Sequence, residues 1–257
     1  MNTDTTGKCL AIEIKGATAI LTIERASRRN AMNEALIAEL KAALVRFDRD
    51  ASIKAIVLGG VAPGFCAGSD LKYISGLSLE QMCQFEQETG DATRLIGFIS
   101  KPVIAAVEGF AMGGGFILAA SCDIVVAARS SQWRLPEVPI GWITPWGIKA
   151  LIARAGFVKA RHLCLGLNVL KGDEVRELGI ADYVADDGKV LELALEYAER
   201  IAELPMPAVA STKRFFSNYI MSDAESMDYE ANRLFADNCR QRDAQKTLQK
   251  YADKVTA

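Results

Sequence analysis

Histidine is almost missing: the 257 residues contain one, His162. Histidine is the usual general base near neutral pH and a frequent metal ligand. Its scarcity disfavours a Ser-His-Asp relay and points to chemistry built on carboxylates and backbone dipoles. His162 itself lies in an amphipathic stretch, residues 154–164, without a carboxylate or nucleophile close by in sequence, and reads as a structural or surface residue. Paired cysteines are lacking as well. Six Cys, at positions 9, 66, 83, 122, 164 and 239, include no CxxC, so neither a zinc knuckle nor a disulfide framework is expected. A reducing cytoplasm is then the default compartment, and with no ligand cluster of suitable spacing no metal is implied. Neither sign of charge dominates. The 30 Lys+Arg against 32 Asp+Glu leave a net charge of −2, which gives no electrostatic reason to expect nucleic acid or an anionic membrane as partner. A long apolar run is also absent. The most apolar stretch, residues 103–128, is interrupted by Glu108, Asp123 and several glycines, and reads as buried core rather than a membrane span. Residues 1–15 lack a basic segment followed by an apolar one, so no secretory signal is expected.

What is present is the composition of a soluble globular protein: 50% hydrophobic and 24% charged residues, enough to build one sizeable core with an appendage. Residues 9–14 and 19–23 read as a hairpin about Lys15-Gly16. A helix over 33–47 with Asn33 as N-cap follows, then a short buried strand at 55–58, a helix over 79–99 that stops before Lys101-Pro102, and strands at 103–107 and 123–128. Strands alternating with helices give an α/β class. Beyond Gly188 the pattern turns helical, over 190–204, 208–219 and 222–254. The expected organisation is an α/β core over 1–190 and a helical C-terminal region over 191–257.

Three segments carry candidate chemistry. In Gly64-Phe65-Cys66-Ala67-Gly68-Ser69-Asp70-Leu71-Lys72, which follows a buried strand, glycines let the backbone turn and present bare N–H groups. The spacing is neither that of a Walker loop nor that of a dinucleotide fingerprint. Nothing near Cys66 would activate its thiol, so packing is its expected role. In Glu108-Gly109-Phe110-Ala111-Met112-Gly113-Gly114-Gly115-Phe116-Ile117-Leu118, three glycines open an apolar helix whose unpaired N–H groups favour a developing anion, or alternatively allow close helix–strand packing. In the segment 133–147, the lone carboxylate Glu137 sits among apolar residues and all three Trp of the chain; burial there would raise its pKa and make it an acid/base, whereas pairing with Arg134 is the bland alternative.

Together and in this order the three segments resemble the crotonase (enoyl-CoA hydratase/isomerase) superfamily, over essentially the whole chain, and Arg28-Arg29-Asn30-Ala31-Met32 is similar to the family's block near the CoA entrance. The resemblance implies a crotonase-like spiral of ββα units with a helical C-terminal trimerisation region, assembled as a homotrimer or homohexamer. It implies an acyl-CoA substrate, with coenzyme A as part of that substrate and no prosthetic group. It places an oxyanion hole at the backbone N–H groups of Ser69 and Gly114, an acid/base at Glu137, and CoA contacts at Arg28, the backbone of Ala67, Lys72, Tyr251 and Lys254.

The chain departs from the family's hydratase pattern at one position. Hydratases carry a glutamate two residues after the triple glycine, and Ile117 stands there. Adding water across a double bond uses two carboxylates that share the water, whereas moving a double bond needs one base. The single retained Glu137, with Ile117 as an apolar neighbour excluding water, resembles the enoyl-CoA Δ3–Δ2 isomerases. Hydroxycinnamoyl-CoA hydratase-lyases share the same pattern, although Tyr73 is displaced by one position from their helper tyrosine. An enoyl-CoA hydratase, and a CoA-ester binding subunit without turnover, are the further alternatives.

Overall fold

A computed structural model describes residues 8–253 of the chain. The hairpin forms as its alternation demands: β1 (Leu10–Lys15) pairs antiparallel with β2 (Thr18–Ile23), and Gly16 supplies the turn at φ +58°. A short 3-10 turn, Ala26–Arg28, leads to α1 (Glu34–Arg49), whose first turn is closed by the Asn33 side chain accepting the Leu36 N–H at 3.1 Å. Then come β3 (Ala55–Gly60), the single turn α2 (Leu71–Ile74) and the long α3 (Leu79–Phe98), which opens on a Ser78/Gln81 capping box. The middle of the chain alternates β4 (Val103–Val107), β5 (Phe110–Met112), α4 (Gly114–Ala120), β6 (Ile124–Ala128) and β7 (Gln132–Arg134). After the single turn α5 (Glu137–Ile140) come α6 (Ile148–Ala155), α7 (Phe157–Cys164), α8 (Gly172–Glu177) and β8 (Tyr183–Ala185). Four helices finish the chain: α9 (Val190–Ala202), α10 (Met206–Ile220), α11 (Ala224–Cys239) and α12 (Arg242–Ala252).

The six-stranded sheet runs β1-β2-β3-β4-β6-β8 and is parallel from β2 onwards. A parallel sheet is covered on both faces, so its strands read as continuous apolar runs with alternate residues in different cores. That is the arrangement here. Ile56, Leu58, Val103, Ala105, Val125 and Ala127 join the larger core with α1 and α3, while Ala55, Val57, Ile104, Ala106, Val126 and Ala128 face Val190, Ala194 and Ala198 of α9. The boundary expected at residue 190 therefore falls on the first residue of a helix that closes the sheet's second face. A second, two-stranded parallel sheet pairs β5 with β7.

Two sequence-derived helices are divided in the structure. The amphipathic stretch over 154–164 breaks at Gly156, where φ is +76° and α6 gives way to α7. The helix expected over 222–254 breaks at Gln241, whose extended backbone (φ −81°, ψ 155°) redirects the chain into α12. That redirection lets α12 pack against α2 and α5.

Candidate active site

Register explains how three distant segments come level. In β5 and β7, Ala111 stands opposite Trp133 and Met112 opposite Arg134. An isolated parallel bridge adds Cys66 beside Ala111, through Cys66 N–H to Phe110 O (3.4 Å) and Met112 N–H to Cys66 O (2.9 Å). All three chains run the same way beyond this line, so Ser69, Gly114 and Glu137 emerge together at the carboxyl end of the small sheet. Ligand sites of α/β folds lie characteristically beyond the carboxyl ends of parallel strands.

The two amides proposed from sequence are both unused. Ser69 forms a parallel bridge with Met32, in which Met32 N–H donates to Gly68 O and Asp70 N–H donates to Met32 O, each at 2.7 Å. Such a bridge uses the groups on either side of Ser69, so the Ser69 N–H itself faces away from Met32. Gly114 is the first residue of α4, where no intrahelical acceptor exists. Neither amide has an internal acceptor among the described residues. They are also close: a Cβ added to Gly68, at φ +89°, would stand 3.1 Å from the Gly114 nitrogen and 2.9 Å from Met112 O. Glycine at 68 is what lets the two loops meet.

Ser69 is held from behind. The Asp70 carboxylate caps α2 by accepting the Lys72 and Tyr73 N–H groups and forms an ion pair with Arg25 at 3.2 Å, both side chains being under a tenth exposed. Asn30, fully buried, accepts the Arg25 N–H and donates to Val61 O and Gly64 O at 2.7 and 2.6 Å. Removing one partner of a buried ion pair strands the other charge and costs about 3–5 kcal/mol, which makes this loop rigid.

Glu137 opens α5 and is buried. Its carboxyl lies over Gly113, where an added Cβ would stand 2.8 Å from Oε1, and its Oε2 has no hydrogen-bond partner among the described residues. Burial pushes this carboxyl up to about 8, against a single compensating hydrogen bond from its own backbone N–H, and the charge of Glu86 pushes in the same direction. The Arg134 pairing is not made; that guanidinium donates to Gly166 O at 2.8 Å. A narrow cleft joins Glu137 to Gly68, Ser69, Gly113 and Gly114, walled by Ile74, Ile140, Trp142, Pro145 and Trp146.

Two features differ from the sequence reading. Ile117, expected beside the reacting atoms, is fully buried and turned into the core against Gly147, where an added Cβ would meet its Cγ2 at 2.1 Å, and it is not among the residues lining the cleft. The apolar wall is made instead by the two tryptophans. Trp146 lies along α3, with its Cβ beside Gly90 and its indole N–H donating to Glu86 Oε2 at 2.7 Å. Glu86 lines the same cleft and is buried. Its signal was available: it falls on the stripe Met82, Phe85, Thr89, Thr93 and Ile96, the buried face of α3.

Of the other expected residues, Ala67 lines the cleft. Ala67 N–H donates to Arg29 O at 3.2 Å, tying the turn that bears Arg28 to the loop and leaving the Ala67 carbonyl as its backbone contact group. Lys72 is half-buried on α2, and Tyr251 is half-buried on α12, the helix that packs against α2 and α5. Lys254 lies outside the described residues. Burial pushes the Cys66 thiol up to about 12, consistent with packing and not with nucleophilic attack. Tyr73 donates its hydroxyl to Glu34 at 3.0 Å and does not line the cleft. No group of three or more potential metal ligands occurs among the described residues, and no described helix is long and apolar enough to cross a membrane.

A family profile described as enoyl-CoA hydratase/isomerase matches residues 13–257. A probable enoyl-CoA hydratase of Rhizobium meliloti is 34% identical over 228 residues, 88% of each chain. The 1,2-epoxyphenylacetyl-CoA isomerase of Escherichia coli is 34% identical over 190 residues, 72% of each. Among solved structures, carnitinyl-CoA hydratase from Mycobacterium avium superposes with a TM-score of 0.85 at 33% identity over 97% of each chain. The chain belongs to the enoyl-CoA hydratase/isomerase family of the crotonase superfamily.

Proposed function

We propose that this protein isomerises a 3-enoyl-CoA to the 2-enoyl-CoA through a dienolate. The Ser69 and Gly114 N–H groups would hold the thioester oxygen, while Glu137 takes a proton from C2 and returns it at C4. The reading is carried by one observation: a buried carboxyl sits over Gly113 with an oxygen that has no partner among the described residues, beside two amides that lack internal acceptors among them. Fixed donors aimed at a developing oxyanion stabilise it without reorganising. Arg28, the Ala67 backbone, Lys72, Tyr251 and Lys254 would hold the CoA moiety, and assembly as a trimer or a hexamer of two trimers follows from family likeness.

A hydratase is the second reading, favoured by the names of most relatives and by a second carboxylate, Glu86, in the cleft. The hydratase-lyase variant is disfavoured by Tyr73, whose hydroxyl is engaged by Glu34. The pH profile separates isomerase from hydratase by sign. A base must be ionised, so isomerisation of 3-hexenoyl-CoA should show kcat/KM climbing about tenfold per pH unit up to the Glu137 value of about 8, then levelling. A proton donor must be protonated, so hydration of 2-hexenoyl-CoA should fall above that same pH. A profile on 3-hexenoyl-CoA that is flat from pH 6 to 9, or formation of hydrated product alone, sinks the isomerase reading.

A further inference from the structure

Isomerisation by Glu137 leaves one buried titratable group of the cleft without a task. Glu86 projects from α3 among Met82, Phe85, Ala92 and Ile96, yet it is only 3% exposed and lines the same cleft as Ser69, Gly114 and Glu137. A carboxyl placed there loses several kcal/mol of solvation unless donors compensate it. Burial keeps this carboxyl above its ordinary value, but the Trp146 indole, which can only donate, gives its N–H to Oε2 at 2.7 Å and opposes that rise, with the Ser69 hydroxyl acting in the same sense. Gly90, one turn further along α3, is the vacancy that admits Trp146: a Cβ there would stand 2.9 Å from the Trp146 Cβ. The helix is thus shaped to bring an indole N–H onto this carboxylate.

The two carboxyls of the cleft have opposite surroundings. Burial raises the Glu86 carboxyl as it does that of Glu137, but Glu86 has an external donor, the Trp146 N–H, that favours its charged form. Glu137 has an oxygen without a partner, and the negative charge on Glu86 makes ionising Glu137 harder still. A single negative charge in the cleft is therefore better accommodated on Glu86, which has a donor, and the proton on Glu137, whose Oε2 has no partner among the described residues. Paired carboxyls whose environments separate them in this way divide into an acid and a base.

We propose that Glu86 is a second catalytic carboxylate, the base that activates water in this cleft, and that with proton-bearing Glu137 it hydrates a 2-enoyl thioester. The position after the triple glycine, occupied by Ile117, is then not needed for water addition. In this step Glu86 accepts a proton from water as the water oxygen bonds to C3. The C2=C3 electron pair shifts onto the thioester oxygen, held by the Ser69 and Gly114 N–H groups, and the enolate collapses as C2 takes the proton of Glu137. The O–H bonds of water and of Glu137 and the C2=C3 π bond break, C3–O, C2–H and a Glu86 O–H form, and the product is a 3-hydroxyacyl thioester. Proton transfer from Glu86 back to Glu137 resets the pair, and no oxidant or reductant enters. The inference rests on the oxyanion hole and on exchange of a proton between Glu137 and C2, and adds a residue to both.

The test is hydration of crotonyl-CoA by the full-length protein, followed by loss of the enoyl thioester absorbance. Wild type should add water. Glu86→Gln, which still offers an acceptor to Trp146, should lose about 10²–10⁴-fold in kcat with a much smaller change in KM, and Glu86→Asp should recover part of that loss. Trp146→Phe removes the donor that stabilises the Glu86 charge, so the acid limb of its kcat/KM profile should move to higher pH, a shift that loss of packing alone would not produce. Absence of hydration by wild type, a Glu86→Gln rate within about threefold of wild type, or an acid limb unmoved in Trp146→Phe overturns the proposal. Failure of the underlying enolate chemistry is read separately: Glu137→Gln would then retain wild-type rates on both crotonyl-CoA and 3-hexenoyl-CoA.

Discussion

Glu137→Gln should lower turnover of 3-hexenoyl-CoA by about 10²–10⁴-fold, the usual worth of a positioned general acid or base. The amide keeps the size and hydrogen-bonding reach of the carboxyl but can neither take a proton from C2 nor return one. The loss should appear in kcat, with KM little changed, because the proposed role of Glu137 is proton transfer, while the proposed CoA contacts, Arg28 and Lys72, are not among the residues lining its cleft. Folding should not suffer. A carboxyl pushed from 4.5 up to about 8 by burial stays protonated in the fold while the unfolded chain ionises, so stability declines as pH rises from about 4.5 to about 8 and the full cost is present above that, and glutamine removes a cost rather than a support. Melting curves at pH 9 should accordingly place Glu137→Gln at or above wild type. Steady-state kinetics and melting curves on the same preparation check both halves, and a variant retaining more than about a tenth of wild-type kcat removes Glu137 from the reaction.

Gly68→Ala should cost about 100-fold in kcat, close to the loss of one oxyanion donor. The new methyl group would press on Met112 O at 2.9 Å and the Gly114 nitrogen at 3.1 Å, and it would sit on a residue whose φ is +89°. Backbone on both sides cannot rotate away, so the Ser69 and Gly114 loops must part, and the two amides proposed to hold one oxygen would no longer do so together. Strain of about 1–3 kcal/mol accompanies it, small enough for the protein to remain folded. The measurement is kcat with 3-hexenoyl-CoA beside a melting curve. Wild-type kcat in a folded Gly68→Ala variant contradicts the assignment of this pair as the oxyanion hole.

Much of this was readable from the chain because local chemistry and tertiary role coincide. Gly68 and the glycines at 113–115 are where the backbone must turn and approach closely, and Asn33, Lys15-Gly16 and the apolar runs at 103–107 and 124–128 each form the element their pattern prescribes. Glu137 stood out as a lone carboxyl among tryptophans, and it is buried. The placement of Ile117 and the role of Glu86 were missed for a common reason, although Glu86 falls on the apolar stripe of α3. Both lie on helices whose every turn offers several directions, and which direction meets the cleft is set by packing across the molecule. Ile117 was expected at the reacting atoms and instead fills the space above Gly147; Glu86, among Gln81, Gln84, Gln87 and Glu88 in sequence, passes for a solvated residue until α3 is seen with Trp146 against it.

The Ser69 and Gly114 amides belong to the peptide backbone, and this has an evolutionary consequence. The thioester grip proposed for them owes nothing to residue identity and would survive substitution of almost any neighbouring side chain, provided that the glycines remain. The groups that decide where protons and water go can then be exchanged one at a time, from one helix or another, while the intermediate stays held. A lineage built on such a grip can change its reaction without first losing its substrate.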